Sequence, residues 1–362
     1  MNMKVLHVIN CLSIGGAERL VSDILPLMKD SINVDLLVFR DEEENDFIRK
    51  VKDANINIRS LHAKKLYNPN IVLKIREVIK EYDIVHVHLF PASYWTSLAS
   101  IGLHTKLVWT EHSTFNKRRG KWYFKLIECF IYSRYDRIIS ISEQTQQSLM
   151  SWLGRFEDRA FKVINNGVNL ANYPFKKDRS IKDKSIVSLI MVSRFTAAKD
   201  QDTIIRAMQF LPERIRLVLV GDGDRLDACK SLVRQIGVED RVQFAGRRTD
   251  IPSLLCKADI GIQSSHWEGF GLTVVEMMST GLPVVVSDVD GVKQVAEGAG
   301  VVVKHADAQA FADAVKHIVE DDRYYDELSR KSYERSKEYD INRMVEEYIN
   351  EYKKLIGNNE EE

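Results

Sequence analysis

The sequence predicts an α/β protein with two doubly wound parallel sheets, and three observations lead to this fold class. Short aliphatic runs alternate with helical patterns along both halves of the chain, as they do in βαβ units. The runs of the second half are almost entirely aliphatic, which is typical of parallel strands that are buried on both faces. The chain has 362 residues, and this length suits two domains of about 170 residues each.

Strands are predicted at the aliphatic runs. They occupy residues 4–9, 34–39, 84–89, 106–110 and 137–142 in the first half, and residues 186–193, 216–220, 242–245, 260–263, 284–287 and 300–303 in the second. Between the first two strands, apolar residues recur every three or four positions, so residues 17–28 should form an amphipathic helix. Pro26 is expected to bend or shorten its last turn.

Three segments are predicted along the chain. Residues 1–170 form an N-terminal Rossmann-like domain, and residues 171–340 form a C-terminal Rossmann-like domain. Residues 341–362 form a helix that packs back toward the N-terminal domain. Residues 169–184 contain Tyr173-Pro174 and five Lys or Arg residues, which indicates a linker between the domains.

The composition excludes several classes of protein. Hydrophobic content of 44% and charged content of 29% are typical of a soluble globular protein. The formal net charge is zero, so no overall field favours nucleic acid. The four cysteines form no CxxC pair, which fits a reducing cytoplasm, and no apolar run approaches the roughly 18–20 residues of a membrane span. We therefore expect a cytoplasmic protein that does not itself cross a bilayer.

Candidate ligand-binding residues follow the predicted strands, because open α/β sheets bind ligands outside the carboxyl ends of their strands. After the first strand, Gly15 and Gly16 indicate either a close approach of the backbone to a phosphate or a tight turn with positive φ. After the first strand of the second half come Arg194 and Lys199, which could converge on one diphosphate. An ordinary solvated loop is the alternative for this pair.

Histidines form a second candidate group. His86 and His88 point to the same side of one strand, and Glu111 and His112 follow the next. Zinc is conceivable at the first pair, but no third ligand has suitable spacing. A polar residue at a strand exit more often orients a substrate, so we favour His112 as the site residue.

The most specific segment spans residues 265–276. Gly269 and Gly271 clear space for backbone amides at a predicted helix start, where phosphates are favoured. Glu268 precedes this helix and Glu276 lies about one turn inside it, so the two carboxylates could reach different parts of one elongated ligand. The helix should end at Gly281. Two ordinary surface carboxylates are the alternative.

These motifs together resemble family 4 of the retaining glycosyltransferases. The resemblance is carried by Glu268 and Glu276 with seven residues between them, by Gly269-Phe270-Gly271 inside that interval, by Arg194 and Lys199, and by Gly15-Gly16-Ala17-Glu18. It extends from about residue 4 to residue 350. It implies the GT-B fold, in which two Rossmann-like domains face a central cleft. Residues 1–170 would then be the acceptor-side domain, and residues 171–340 the domain that binds the nucleotide sugar.

The resemblance also implies roles for the matching positions. Gly15 and Gly16 would let a loop close over the donor phosphates, and Arg194 and Lys199 would neutralise the departing diphosphate. Glu276 would hydrogen-bond the ribose and Glu268 the hydroxyls of the transferred sugar, while amides of Phe270, Gly271 and Leu272 contact sugar and phosphate. His112, with Arg194, Lys199 and Glu268, forms the implied catalytic group, and His88 and Glu111 stand with His112 on the acceptor side.

The expected substrates follow from the same resemblance. The donor is a nucleotide-diphosphate sugar, with a UDP-sugar favoured and a GDP-sugar possible, and the acceptor is a glycan or lipid-linked glycan of bacterial surface polysaccharide synthesis. No metal and no cofactor are expected, because the cations and helix-start amides stabilise the leaving group electrostatically. This sequence departs from many relatives at Asp200, where they have glycine, and at residues 288–292, where they have Gly-Gly-Ile-Pro-Glu.

Residues 116–125 (NKRRGKWYFK) suggest contact with a membrane. Five cationic residues, from Lys117 to Lys125, are interleaved with Trp122 and two further aromatic residues, and the apolar stripe Leu126, Ile127, Phe130 and Ile131 follows. Basic, aromatic amphipathic helices bind anionic membrane surfaces, so we expect peripheral binding at the inner face of the cytoplasmic membrane. A helix packed on its own sheet with a solvated basic face is the alternative.

Some residues suggest other functions. Asp222 with Asp224, and Asp288 with Asp290, are Asp-x-Asp pairs that could hold a metal in a single-domain glycosyltransferase, although two βαβ domains do not suit that class. A nicotinamide oxidoreductase requires Gly-x-Gly-x-x-Gly, which neither domain supplies. A nucleotide-sugar epimerase or hydrolase on the same fold stays open. A catalytically inactive binding module is disfavoured by the intact motifs.

Overall fold

The structure is a computed structural model that describes residues 3–13, 15–114, 116, 118–154 and 160–357. It divides into two compact units. The first comprises the chain up to Gly167 and again from Ile341, and the second is Val168–Asp340. Each unit contains one sheet whose strand pairs are parallel. The α/β fold class is therefore confirmed.

Among the described residues, the first unit has seven strands and six helices before the chain enters the second unit. The strands are β1 Lys4–Ile9, β2 Asn33–Val38, β3 Ile58–Ser60, β4 Ile84–His88, β5 Lys106–Glu111, β6 Arg137–Ser140 and β7 Phe161–Val163. The helices are α1 Gly16–Met28, α2 Asp46–Asp53, α3 Ile71–Ile79, α4 Ala92–Ala99, α5 Trp122–Tyr132 and α6 Glu143–Leu153. The strands lie in the order β3-β2-β1-β4-β5-β6-β7.

The second unit has six strands and seven helices among its described elements. The strands are β8 Val187–Val192, β9 Ile215–Val220, β10 Val242–Gly246, β11 Ile260–Gln263, β12 Val284–Ser287 and β13 Val301–Val303. The helices are α7 Gln201–Ala207, α8 Leu226–Gln235, α9 Ile251–Lys257, α10 Leu272–Ser279, α11 Val292–Ala296, α12 Ala308–Glu320 and α13 Asp322–Ser336. The strands lie in the order β10-β9-β8-β11-β12-β13.

The last helix, α14 Ile341–Gly357, returns to the first unit. Its apolar residues share one face, and Tyr348 and Tyr352 on that face are completely buried in the core beside β1 and α1. This face gives the helix its stability, because a helix in a protein is held mainly by burial of one apolar side.

The predicted strands are confirmed at every position, with ends that differ by a few residues at most. The structure adds two strands that the sequence did not show, β3 and β7, which are three residues long and form the edges of the first sheet. A run of three residues is too short to show the alternation of apolar and polar side chains by which a strand is predicted. The helix predicted over residues 17–28 is confirmed, and it continues past Pro26 to Met28 without shortening.

The linker predicted over residues 169–184 is wrong, because this segment packs within the second unit. Tyr173 and Ile181 are 3% and 2% exposed. The buried Arg179 guanidinium donates to the carbonyl oxygens of Thr280, Ala258 and Leu255 at 2.6–3.0 Å. Arg179 is thus a buried structural residue, whereas Lys177 and Lys182 of the same segment are exposed.

Both sheets reverse their strand order at one place, where ligands bind in doubly wound folds. In the first sheet this place lies between β1 and β4, and in the second between β8 and β11. The candidate residues from the sequence follow these four strands or the strands beside them. Within the described residues, no helix is long and apolar enough to cross a membrane.

Candidate functional site

In the second unit, the segments that follow β8 and β11 are joined to each other. Lys199 and Ser265 form an antiparallel bridge, and the His266 amide donates to the Ala198 carbonyl oxygen at 2.9 Å. The two segments were predicted separately from motifs about seventy residues apart. The structure brings them together at the reversal point of the sheet.

The Lys199 ammonium and the Glu268 carboxylate form an ion pair at this place. Their side chains are 17% and 20% exposed, so water screens the pair only partly. Burial, and to a lesser extent the Arg194 guanidinium, lower the pKa of Lys199 to about 8, whereas contact with Glu268 favours the charged form. Arg194 itself is exposed. The loop thus carries two cations close enough to repel each other, with one carboxylate beside them.

Helix α10 begins without a capping side chain. Gly271 precedes it with φ +93°, a left-handed conformation that favours glycine, and a Cβ there would lie 2.9 Å from Val292 Cγ1. The first amides of a helix have no partner inside the helix. The amides of Val274 and Val275 donate to the Gly271 carbonyl oxygen at 2.9 and 3.3 Å. Since Gly271 offers no side-chain acceptor, the helix start presents the amides of Leu272 and Thr273 to an anion. The predicted helix end is confirmed, because α10 stops at Ser279 and Gly281 has φ +77°.

The two glutamates of the most specific motif differ in environment. Glu276 lies within α10 and is 3% exposed, while Glu268 lies in the preceding loop. The alternative of two surface carboxylates is therefore wrong. Phe270, between them, is 5% exposed and packs edge-to-face on Tyr339 at 5.4 Å between ring centroids, which fixes the backbone around it.

Gly221 and Gly223, which follow β9, position the Arg194 loop. A Cβ on Gly221 would lie 2.0 Å from the Ser193 carbonyl oxygen, and one on Gly223 would lie 2.2 Å from that of Phe195. The Phe195 amide also donates to the Asp222 carbonyl oxygen at 2.9 Å. The Gly-Asp-Gly sequence after β9 therefore allows the backbone to pack closely against the Arg194 loop. Glycines after a neighbouring strand are the signal that could have revealed it.

In the first unit, Gly15 and Gly16 begin α1. Gly15 is extended, with φ −161°, and Gly16 is helical, so the tight turn with positive φ is wrong. A Cβ on Gly16 would meet no described atom within 4 Å, whereas one on Gly15 would lie 2.2 Å from the flexible Glu18 carboxylate. Among the described residues, the surface at Gly16 is therefore open, and the Glu18 side chain lies against Gly15.

Glu111 and His112 diverge at the end of β5. Glu111 is 6% exposed and faces inward, where its carboxylate accepts hydrogen bonds from Tyr132 at 3.0 Å and Arg119 at 3.3 Å. Burial raises the pKa of Glu111, and the charge of Arg119 opposes this effect. His112 is half-buried, and burial lowers its pKa to about 4. Of these two residues, His112 is the one placed to meet a ligand.

His88 lies directly behind His112 and is completely buried, so it supports His112 and has no surface for an acceptor. Its Nδ1 is 3.0 Å from His112 Nε2. The sequence offered no third histidine beside His86 and His88, but the parallel register of β1 and β4 sets His7 opposite His86. The three rings form a buried cluster.

Two family models match adjoining parts of the chain. The model described as Glycosyltransferase Family 4 matches residues 14–172, and the model described as Glycosyl transferases group 1 matches residues 173–335. The chain belongs to the family 4 glycosyltransferases. The predicted family is thereby confirmed, and the protein is a glycosyltransferase.

Similar curated proteins extend over almost the whole chain. A 4-alpha-N-acetylgalactosaminyltransferase of Campylobacter jejuni, named for the substrate N-acetylgalactosamine-N,N'-diacetylbacillosaminyl-diphospho-undecaprenol, is 25% identical and covers 95% of this chain and 96% of its own length. An uncharacterized glycosyltransferase of Haemophilus influenzae is also 25% identical, with 94% and 97% covered.

Solved structures of other glycosyltransferases share the fold. Anabaena HepE in complex with UDP and glucose superposes with a TM-score of 0.83 at 22% identity, covering 96% of this chain and 98% of that one. Sucrose-phosphate synthase from Thermosynechococcus elongatus gives 0.80 at 20% identity, with 98% and 99% covered. The predicted GT-B fold class of this family 4 glycosyltransferase is confirmed.

The basic segment of this glycosyltransferase differs from the prediction. Lys117 lies outside the described residues. Arg118 donates to Glu128 at 3.0 Å and stacks on Phe90 at 3.9 Å, and the Arg119 side chain, paired with Glu111, is 9% exposed. These two arginines are thus neutralised by buried carboxylates, which the sequence could not show. Helix α5 begins only at Trp122.

Helix α5 packs within the first unit through Ile131 and Tyr132, which are both 3% exposed, as the alternative of a packed helix requires. Other apolar residues of the helix nevertheless remain exposed. Trp122, Leu126 and Phe130 are 75%, 65% and 53% exposed. Beside them is a groove of about 670 Å³ with an almost entirely apolar lining, which we call the α4–α5 groove. Its lining includes Tyr67, Phe90, Tyr94, Trp95, Leu98, Ile127 and Phe130.

Proposed function

We propose that this glycosyltransferase moves a hexosyl unit from a nucleotide-diphosphate sugar, with a UDP-sugar favoured, to a glycan or lipid-linked glycan, and retains the anomeric configuration. One observation carries the proposal. Lys199 and Glu268, from segments far apart in sequence, are paired at the uncapped start of α10 with Arg194 close by.

This arrangement suits a diphosphate leaving group. Two cations and the free amides of a helix start supply positive charge without any movement of the protein, which is how preorganised sites stabilise developing negative charge. In the structure, the Lys199 ammonium is paired with the Glu268 carboxylate. A bound diphosphate would share this ammonium, and the freed carboxylate oxygens of Glu268 could accept hydrogen bonds from sugar hydroxyls.

The nucleotide would lie on the other side of the phosphates. We assign the ribose hydroxyls to Glu276, whose carboxylate is held inside α10 and shielded from water. Support for a uridine nucleotide comes from structural neighbours described as complexes with UDP and with UDP-glucose, and from a relative in Escherichia coli named as a UDP-Gal-dependent galactosyltransferase.

The proposed mechanism uses no enzyme nucleophile. Retaining glycosidases need two carboxyl groups about 5–5.5 Å apart, one of them free to attack the sugar. Here Glu268 is paired with Lys199 and Glu276 is buried in a helix. We therefore propose front-face attack, in which the leaving phosphate oxygen accepts the proton of the acceptor hydroxyl. His112, which is neutral at physiological pH, would hydrogen-bond the transferred sugar.

Product analysis tests this function. The protein would be incubated with UDP-, GDP- and ADP-sugars, with and without a lipid-linked acceptor, and the products would be followed by NMR. We expect the nucleoside diphosphate and an α-linked product from an α-linked donor, formed only with acceptor. A β-linked product would exclude retention. Turnover of the donor without acceptor would favour the epimerase or hydrolase alternative.

We further propose that the acceptor is presented at the inner face of the cytoplasmic membrane. Two Campylobacter jejuni relatives are named for diphospho-undecaprenol substrates. The α4–α5 groove and the exposed Trp122, Leu126 and Phe130 offer apolar surface to lipid chains, while Lys121 adds an exposed positive charge. Exposed apolar patches of this kind mark membrane or partner contacts.

Liposome binding tests this second proposal. Trp122→Ala combined with Phe130→Ser should reduce co-sedimentation with phosphatidylglycerol vesicles at least ten-fold. The matched control is Leu73→Ser, because Leu73 is 69% exposed on α3 but does not line the groove. Arg118 and Arg119 are unsuitable for charge reversal, since both hold buried carboxylates. Equal binding by the double variant and the control would exclude the groove as the contact surface.

A further inference from the structure

A continuous hydrogen-bonded chain connects helix α14 to His112. The Tyr352 hydroxyl lies 3.3 Å from His7 Nε2, His7 Nδ1 lies 3.0 Å from His88 Nε2, and His88 Nδ1 lies 3.0 Å from His112 Nε2. Tyr352, His7 and His88 are completely buried, and only His112 reaches the surface. The four groups come from α14, β1, β4 and the loop after β5.

The chain continues behind Tyr352. Its hydroxyl also lies 2.5 Å from His86 Nδ1, and His86 Nε2 lies 2.6 Å from Thr110 Oγ1. Thr110 Oγ1 is 3.4 Å from the Tyr348 hydroxyl, so this contact and the 3.3 Å contact of Tyr352 with His7 are the two longest and weakest of the cluster. The Tyr352 hydroxyl, unlike that of Tyr348, contacts two histidines directly. Tyr352 is therefore the junction between the two parts of the chain.

These contacts distinguish a hydrogen-bonded chain from a metal site. The ligand atoms of His7, His86 and His88 lie within 4.8 Å of one another, a spacing that could suit an ion. All six of their ring nitrogens, however, already have a hydrogen-bonding partner. A metal ion would have to replace several of these bonds inside the core, so the hydrogen-bonded chain is the better account.

Donor and acceptor counting restricts the chain to two states. A neutral imidazole has one donor nitrogen and one acceptor nitrogen, so the direction of any one hydrogen bond sets all the others. If Tyr352 donates to His7, then His7 donates to His88, His88 donates to His112, and His112 presents Nδ1–H to its exterior. In the opposite direction, His112 presents a bare Nδ1. The partners at one end thus decide what His112 offers at the other.

The inner end of the chain is poorly suited to delivering protons to His112. Burial raises the pKa of Tyr352 well above its ordinary value and lowers the pKa of His7 to about 3. Neither group gives up or stores a proton near neutral pH. What the chain does supply is a fixed tautomer and a fixed orientation.

We propose that Tyr352 is a positioning residue that acts through His7 and His88 to fix the tautomer and the ring orientation of His112. Helix α14 therefore belongs to the functional apparatus of the first unit in addition to its core. The structural part of this inference is independent of the proposed function. Its kinetic part rests on the proposed role of His112.

The test compares two tyrosines on one helix. Tyr352→Phe removes the hydroxyl that joins two histidines, whereas Tyr348→Phe makes the same chemical change at an equally buried position with only the weak Thr110 contact. The ring nitrogens of the full-length protein, labelled with 15N-histidine, would be observed by NMR. We expect one neutral tautomer of His112 in the wild type and in Y348F, and a mixed or reversed tautomer in Y352F.

Turnover is measured on the same variants. If His112 acts on the sugar, Y352F should lower kcat about 10- to 100-fold, as loss of an orienting partner does elsewhere, with the KM for donor changed less than three-fold. A changed tautomer with normal kcat supports positioning and contradicts the proposed role of His112. Unchanged His112 resonances in Y352F overturn the inference. If Y352F does not fold, His7→Gln replaces it as the variant, because it interrupts the chain one residue closer to His112. The His112 tautomer and kcat are then measured in the same way.

Discussion

The Lys199 ammonium contacts the Glu268 carboxylate although 69 residues separate them in sequence. Each side chain is mostly buried, so removing one partner leaves the other as a poorly solvated charge. In the proposed reaction the same ammonium faces the departing diphosphate. The pair therefore links the stability of the second unit to its chemistry.

Lys199→Ala should lower kcat/KM by about 100- to 1,000-fold, because loss of one donor to a developing anion costs about 2.7–4 kcal/mol in the barrier. Steady-state assays with donor and acceptor measure this. The control is Lys257→Ala, since Lys257 is an exposed lysine of the same unit and should keep wild-type activity. A K199A enzyme within three-fold of wild type would contradict the assignment of Lys199 to the leaving group.

Gly221→Ala should disturb the Arg194 loop. Gly221 has φ +136°, and an added Cβ would lie 2.0 Å from the Ser193 carbonyl oxygen, so the loop must move. Gly237 is the matched control, because it has φ +70° but no described atom within 4 Å of an added Cβ. Gly237→Ala should cost only the conformational penalty of about 1–2 kcal/mol.

Thermal unfolding and donor titration distinguish these two variants. Gly221→Ala should show the larger fall in Tm and at least ten-fold weaker nucleotide binding, whereas Gly237→Ala should bind normally. Equal losses in both variants would mean that close packing against Ser193 is unimportant.

Acid should destabilise the first unit between pH 6.5 and pH 5. Burial lowers the pKa of His7 to about 3 and that of His112 to about 4, and the pKa values of His86 and His88 also fall well below the ordinary value. The unfolded chain therefore binds more protons than the folded chain in this window. The contribution that these buried neutral histidines make to the free energy of unfolding is complete above pH 6.5. It decreases as the pH falls below that value.

Each of these histidines contributes a slope of up to about 1.4 kcal/mol per pH unit. The transition of the first unit, followed by hydrogen exchange or by Tm at pH 5.0–7.0, measures the sum. His104→Gln should leave the profile unchanged, because that side chain is exposed. A Tm that is constant from pH 6.5 to pH 5 would show that these rings are not held neutral.

Activity should persist in EDTA, since the proposed site stabilises the diphosphate with cations and amides. Asp222→Asn and Asp224→Asn should also leave activity within about two-fold of wild type, because both side chains are exposed on a turn. Activity lost in EDTA and restored by Mn²⁺ would refute this expectation. Asp200, His266 and His305, whose ligand atoms lie within 4.8 Å of one another, would then be the first residues to examine.

Local sequence patterns were sufficient for much of the second unit. Its six strands are strongly aliphatic, and Gly269, Gly271 and the two glutamates lie within a dozen residues of one another. Their relation to the start of α10 follows from the chain itself. Arg194 and Lys199 could be proposed from the sequence as a pair on one loop, but their contact with Glu268 could not.

The first unit depended more on packing. The sequence placed His86 and His88 on one strand and found no third partner. The register of β1 against β4 supplies His7, and α14 supplies Tyr352, 266 residues from His86. The exposed basic patch predicted at residues 116–125 differs from the structure for the same reason. Its arginines are neutralised by carboxylates that come close only when α5 and β5 pack, Glu128 for Arg118 and Glu111 for Arg119.

The sequence by itself determined the two sheets, the glycosyltransferase motifs and the glycine-started helices, because strand and helix periodicity and backbone freedom act over a few neighbouring residues. Only the tertiary structure decided which charges are paired, which histidines are joined and which apolar face is exposed. These properties depend on strand order and on helices that return from distant parts of the chain. Burial then turns such contacts into strong constraints, because a polar group removed from water must find a partner inside the protein.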